Sequence, residues 1–228
     1  MDFTDKYALR REQSLFLAKK KWDENIYCGM RMENRNVTFP DTQTILSGVN
    51  VGHISLDDIQ AILNMRDAWK YLLNTIDEDL SLGYLCTLNG YVSRNESLAW
   101  GVLRSGAVGI GGVNYQPPIP DGEGAARELG LILTQEGMAT EKALDLFLWG
   151  TRSQLFWDGN KRTSLLGANK ILVASGCGML TIAERNIAAF NRLLSAYYES
   201  GDGQELKGFL YEKTITGIEF PHKALSEQ

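Results

Sequence analysis

The tightest constraint on this chain lies in one short stretch, Ser153-Gln154-Leu155-Phe156-Trp157-Asp158-Gly159-Asn160-Lys161-Arg162-Thr163. Helical spacing runs up to about Gln154 and starts again near Asn160, so Asp158-Gly159 has to break and turn the chain. Gly159 permits a tight turn with close backbone approach. Phe156 reads as a buried anchor for the loop. The N–H groups near residues 160–162 then point at the loop, which makes the second helix an anion site. Lys161 and Arg162 add positive charge where phosphates would sit, and an arginine fork suits them. Asp158 is the carboxylate placed to hold a magnesium ion bridging phosphates. The plain alternative is a helix–turn–helix corner carrying a solvated charge cluster.

Around this stretch the pattern is mainly helical. A first helix is expected from about Arg10 to Arg31 and a short one near Thr42–Leu46, then a loop or small hairpin over Ser47–Ile54. Ser55 and Asp58 resemble a capping box. The apolar residues Ile59, Ile62, Leu63, Trp69, Leu72, Leu73 and Ile76 follow it at helical spacing. Further helices are expected at Leu80–Ser93, Gly122–Glu136, Glu141–Gln154 with Thr140 as N-cap, and Asn160–Gly176, then at Glu184–Glu199 and Gln204–Thr214. The glycine-rich, valine-bearing segment from Gly101 to Asp121 reads instead as a β-hairpin with a rigid exit at Pro117-Pro118. No strand–helix alternation is present, so a mainly α fold with one hairpin is expected. Residues 1–54 are assigned to an N-terminal helical region and residues 55–228 to a core domain.

Composition narrows the function classes. The chain has 228 residues, ordinary globular hydrophobicity and a net charge of −5, which argues against non-specific nucleic-acid binding. Cys28, Cys86 and Cys177 are too scattered for a disulfide framework or a zinc spacing, so a reducing cytoplasm is expected. No signal peptide is read at the N-terminus, and no apolar run approaches the roughly 20 residues of a membrane span. Gly109-Ile110-Gly111-Gly112 lacks the strand–helix frame of a dinucleotide loop. Trp69, Trp100, Trp149 and Trp157 read as core or flap packing, and Tyr197-Tyr198 reads as core, with approach to a nucleobase as the alternative.

The Ser153–Thr163 stretch resembles the Fic motif, His-x-Phe-x-(Asp/Glu)-Gly-Asn-(Gly/Lys)-Arg, matched by Phe156, Asp158, Gly159, Asn160, Lys161 and Arg162. Its Lys-Arg-Thr ending is nearest the death-on-curing toxin branch. Gly101-Val102-Leu103-Arg104 through Val108, Ile110 and Gly111, then Tyr115-x-Pro-Pro, is similar to the Fic flap, which aligns a target segment by β-augmentation. Met30-Arg31-Met32-Glu33-Asn34 with Thr38, Thr42 and Leu46-Ser47-Gly48 is similar to the family's N-terminal inhibitory helix. The stretch from Phe190 to Gly201-Asp202, with Phe209, resembles its closing helices. The likeness spans roughly residues 27–216.

The resemblance implies a Fic (fido) fold: a helical bundle with a small β-hairpin flap. It implies ATP and Mg2+ as cofactors, with Gly159, Asn160, Lys161 and Arg162 on the phosphates and Asp158 on the metal. It implies Glu33 as inhibitory residue, left here with only Arg162 or Lys161 to pair with, and Arg104, Val108 and Ile110 in the flap. Its members usually transfer AMP to a protein side-chain hydroxyl, with the motif histidine as general base; the death-on-curing branch transfers the γ-phosphoryl group. Here that histidine is Gln154, an amide that is no base near neutral pH. Losing a general base removes about 10²–10⁴ in rate. Leu165 replaces a frequent second arginine, and Gly29 stands where the inhibitory pattern expects Ser or Thr. Two readings of function stay open: an impaired adenylyltransferase or Doc-like phosphotransferase, and a non-catalytic nucleotide-sensing or partner-binding regulator. A protein substrate or regulatory protein is the expected partner, and a homodimer stays open.

Overall fold

In the computed structural model, residues 2–218 are described. His222 and the end of the segment assigned to the core domain lie outside them. Among the described residues nine α-helices run in order: α1 (Arg11–Met32), α2 (Phe39–Leu46), α3 (Leu56–Asn74), α4 (Leu82–Val92), α5 (Gly122–Thr134), α6 (Ala139–Ser153), α7 (Asn160–Ser175), α8 (Ile187–Ser200) and α9 (Gln204–Thr214). A single 3-10 turn, Glu184–Asn186, leads into α8. The architecture is mostly helical, as expected from the sequence.

Local chemistry sets many of the boundaries. Ser55 caps α3 by accepting from the Asp58 N–H. Thr38 and Asp41 form a reciprocal capping box on α2, with Pro40 in its first turn. α7 stops at Gly176, which has φ +71°; a Cβ there would meet the Leu9 carbonyl oxygen at 2.1 Å. One cap differs from expectation. Thr140 does not start α6; the helix begins at Ala139, and the Thr140 N–H is capped from afar by the Asp5 carboxylate at 2.8 Å. The N-terminal strap, with Phe3 buried, thus supplies a cap that α6 lacks in its own sequence.

The strands are not where the sequence placed them. The two-stranded antiparallel sheet pairs β1 (Met179–Leu180) with β2 (Ile215–Thr216). Residues 101–121 contain no strand, only extended chain with a turn at residues 111–112. The physical reason is Arg104. It is 1% exposed, and its guanidinium donates to the carbonyls of Gly106, Pro117, Pro118 and Gln154, so side-chain bonds hold the segment in place of a ladder.

α7 is the axis of the molecule. One core cluster gathers α1, α3 and α4 on one side, and a second gathers α6, α8 and α9 on the other; α7 contributes Leu166 and Val173 to the first, and Leu165, Ala168 and Leu172 to the second. Two glycines let its neighbours close in. A Cβ at Gly150 would stand 2.3 Å from Ser164 Oγ, and one at Gly167 would crowd Leu146 and Leu85. α1 belongs to the same body: Leu17, Ile26 and Met30 are buried against α3. Gly29, placed where the inhibitory pattern expects Ser or Thr, is a buried close approach to Met65.

Candidate functional site

The loop between α6 and α7 is held from both sides. α6 ends on Gln154 in the left-handed region, at φ 46° and ψ 57°. The Asn160 side chain clamps the loop from within: Oδ1 accepts from the Phe156 N–H at 2.9 Å, and Nδ2 donates to the Phe156 carbonyl at 2.8 Å. Nδ2 also donates to Gln154 Oε1 at 3.2 Å. From α4, Asn89 and Ser93 both donate to the Asp158 carbonyl, at 2.9 and 3.0 Å. Gly159 sits beneath them at φ +73°, where a Cβ would stand 2.2 Å from Ser93 Oγ. The turn therefore has room for no side chain, and α7 starts directly after it.

Beside this N-terminus lies a cleft of about 530 Å³. Gln154, Asp158, Asn160 and Lys161 line it together with Glu33, Trp157, Ile110, and Tyr198 of α8. The first-turn N–H groups of α7 have no intrahelical acceptor and lie beside it. Most of the residues singled out from sequence thus meet in one place. Gly159 is behind the cleft wall, Arg162 is buried beneath it, and Arg104 and Val108 do not line it. Arg104 works as an internal staple between the 104–118 segment and the Gln154 loop.

The charges are paired inward. Glu33 follows the end of α1 and reaches Lys161 Nζ at 2.9 Å and Arg162 Nε at 3.7 Å. Burial alone would raise its pKa, but Lys161 and then Arg162 outweigh that and hold it below the usual carboxylate range. Arg162 is 1% exposed; its Nη1 donates to both oxygens of Glu96, at 3.0 and 3.1 Å. Burial opposes its charge, yet Glu33 and Glu96 more than restore it, so its pKa is raised. Its Nε is buried with no hydrogen-bond acceptor. Asp158 is the opposite case: its side chain is 45% exposed, with Arg162 Nη2 3.8 Å away.

Gln154 is fixed at both ends. Its Nε2 donates to the Thr151 carbonyl at 2.6 Å and its Oε1 accepts from Asn160. The ionisable side chains on the cleft are Glu33, Asp158, Lys161 and Tyr198. His53 is exposed and pairs with Asp41 at 3.3 Å on the surface after α2, away from the cleft lining. Leu165 is packed into the second core cluster, so no second arginine reaches the site from that position.

A magnesium held mainly by phosphates needs only one or two protein carboxylates. Among the described residues no group of three or more His, Cys, Asp or Glu side chains is arranged for a metal. Asp158 fits the smaller requirement, with its side chain exposed on the cleft, whereas Glu33 there is already paired with Lys161. The acceptor-less Arg162 Nε and the open α7 amides fit an anion beside it.

Sequence reasoning missed Glu96, Asn89 and Ser93. Asn89 and Ser93 lie one turn apart, at the end of α4, and carried a detectable signal as two small polar residues at a helix end. Glu96 follows three residues later in a polar stretch and carried none. Tyr198, read as core with a nucleobase contact as the alternative, is nearly buried and also lines the cleft.

No protein-family profile and no curated protein sequence matches this chain. Solved structures do. It is similar to Fic-1 (residues 134–508) from C. elegans at 18% identity and TM-score 0.75, with 89% of this chain and 63% of that one covered. A Fic family protein from Desulfovibrio desulfuricans matches at 18% identity and TM-score 0.71, with 86% of this chain and 62% of that one covered. BepC, a VirB-translocated effector from Bartonella tribocorum solved with bound AMPPNP, matches at 16% identity and TM-score 0.53, covering 68% of this chain and 86% of that one. The chain thus spans under two thirds of the length of the first two. At these identities the likeness is one of architecture, and it is specific: this chain has the Fic fold.

Proposed function

We propose that the cleft binds a nucleotide through its phosphates, and that transfer from it is impaired because Gln154 replaces the general base. The observation that carries this reading is the cleft at the α7 N-terminus, lined by Lys161 and by the exposed carboxylate Asp158, with the unsatisfied Nε of Arg162 buried beneath it. Backbone N–H groups at a helix start, a point charge and a guanidinium edge are what a phosphate chain requires. The AMPPNP in the Bartonella protein of the same fold agrees with it. Asp158 would hold a magnesium ion, which supplies charge neutralisation across the phosphates when bound. Asn160 keeps the loop in shape, and Tyr198 offers an aromatic wall.

Chemistry on a target hydroxyl needs a group to take its proton. Gln154 is at the position for that task and has no basic atom. Its amide is engaged by Thr151 and Asn160. Glu33 occupies Lys161, so a nucleotide's phosphates compete with this carboxylate for the same cation. These two features favour a binding or sensing role over rapid AMP transfer, with a protein as the partner that reads the state of the cleft.

The test uses radiolabelled ATP and cell lysate with wild type, Gln154→His and Gln154→His combined with Glu33→Gly. Little label is expected with wild type. The double variant is expected to label itself or a target at least about 10²-fold more, the low end of a restored general base. Wild-type labelling equal to that of the double variant overturns the assignment of Gln154.

A further inference from the structure

We propose that Glu96 is a positioning residue of the nucleotide cleft: it claims one edge of Arg162 and thereby leaves the Nε edge free for a phosphate oxygen. This deepens the nucleotide reading above and rests on it. Glu96 lies beyond α4, outside the motif loop, and its side chain is only 5% exposed. It is fully engaged. Arg162 Nη1 donates to both its oxygens, Asn64 Nδ2 donates to Oε1 at 2.9 Å, and Arg35 donates to Oε2. Arg35 is held in turn by Asp58 at 2.9 Å.

Arg162 has three carboxylates within ion-pair range, Glu33, Glu96 and Asp158, and hydrogen-bonds only Glu96. Glu96 takes Nη1 at 3.0 Å, whereas Glu33 stays 3.7 Å from Nε, beyond hydrogen-bond reach. A buried guanidinium N–H without an acceptor is costly, by about 1–3 kcal/mol in general, and a phosphate oxygen relieves that. Glu33 would relieve it equally well if the guanidinium rotated towards it. Glu96 prevents that rotation. It also binds Arg35, two residues from Glu33, and shares that arginine with Asp58. Without Glu96, Arg162 is released to Glu33 while Arg35 stays on Asp58, and the phosphate loses its arginine.

The test is calorimetric titration of ATP with magnesium, and of adenosine alone, into wild type, Glu96→Gln, Glu33→Gly and the double variant. Glu96→Gln is expected to weaken ATP binding about tenfold or more while leaving adenosine unchanged, a loss on the scale of one charge-assisted hydrogen bond. With Glu33→Gly in place, no rival carboxylate remains, and the same substitution is expected to weaken ATP less than about threefold, close to the additivity error of independent sites. Glu96→Asp, which keeps the charge, is expected to retain most of the wild-type preference for ATP over adenosine; it also serves if Glu96→Gln unfolds. Equal losses for ATP and adenosine, or the same loss with and without Glu33, overturn the proposal and mark Glu96 as merely structural. Absence of ATP binding in both wild type and Glu33→Gly overturns the nucleotide reading itself, and this inference with it.

Discussion

Gly159 is where the site tolerates least. Its φ of +73° disfavours any side chain, and the space a Cβ would need is filled by Ser93 Oγ at 2.2 Å and Val92 Cγ1 at 2.8 Å. Strain and overpacking add at such a position, so Gly159→Ala is expected to lower stability by about 2 kcal/mol or more. A urea midpoint equal to wild type would contradict the assigned geometry. Glu33 makes a second residue-scale prediction. Its folded pKa is depressed, first against burial and by Lys161, so its pairing contributes above the unfolded value and is lost only as pH falls through the lower, folded one. The ratio of nucleotide affinities between Glu33→Gly and wild type is therefore expected to stay flat from pH ~8 to ~5, because the unfolded glutamate value is about 4.3. A ratio that closes near neutral pH would show that Glu33 is protonated there. The glycine was legible in sequence because a break between two helical runs demands a turn. The pairing of Glu33 was legible only as a short choice of cations, Arg162 or Lys161, and the structure uses both.

Among the elements, α6 and the 101–121 segment show how distant groups decide local structure. Thr140 looked like an N-cap because it precedes an apolar helical run, yet the N–H it carries is capped by Asp5 across the fold. Sequence reading works on neighbours and has no access to a carboxylate 135 positions away. Asp5→Ala is expected to cost about 1 kcal/mol, the usual worth of an N-cap. Thermal denaturation checks this: an unchanged Tm would mean that water caps α6 equally well. The 101–121 segment carried the valines and turn residues of a hairpin, but Arg104 spends its donors on carbonyls of this segment and of the Gln154 loop. A long polar side chain can replace a strand ladder, and no periodicity reveals that. The helix bounds were legible to within three residues, since caps such as Ser55 and stops such as Gly176 are local.

For the molecule as a whole, the burial of α7 on both sides explains why the motif at its start is so well positioned. The loop is short, clamped by Asn160 within and by Asn89 and Ser93 from α4, and mounted on the most enclosed helix of the fold. A site built on rigid elements keeps its geometry without ligand. α1 shares that rigidity, because its buried residues are part of the common core. Glu33 is therefore not carried on a detachable arm. Under the proposed function, its competition with phosphate is a matter of side-chain rotation at the end of α1, near Asn34 with its φ of 58°. No helix among the described residues is long and apolar enough to cross a membrane. The fold was readable from the motif and its flanking helices; the choice between catalysis and sensing was not, because it depends on what a single amide at Gln154 can do. The most direct test of the account is titration of ATP with magnesium into wild type and Glu33→Gly. Measurable binding to wild type is expected, with at least about tenfold tighter binding once the carboxylate that occupies Lys161 is removed, a gain typical of one charge-assisted pair. No binding to either protein at millimolar nucleotide would contradict it.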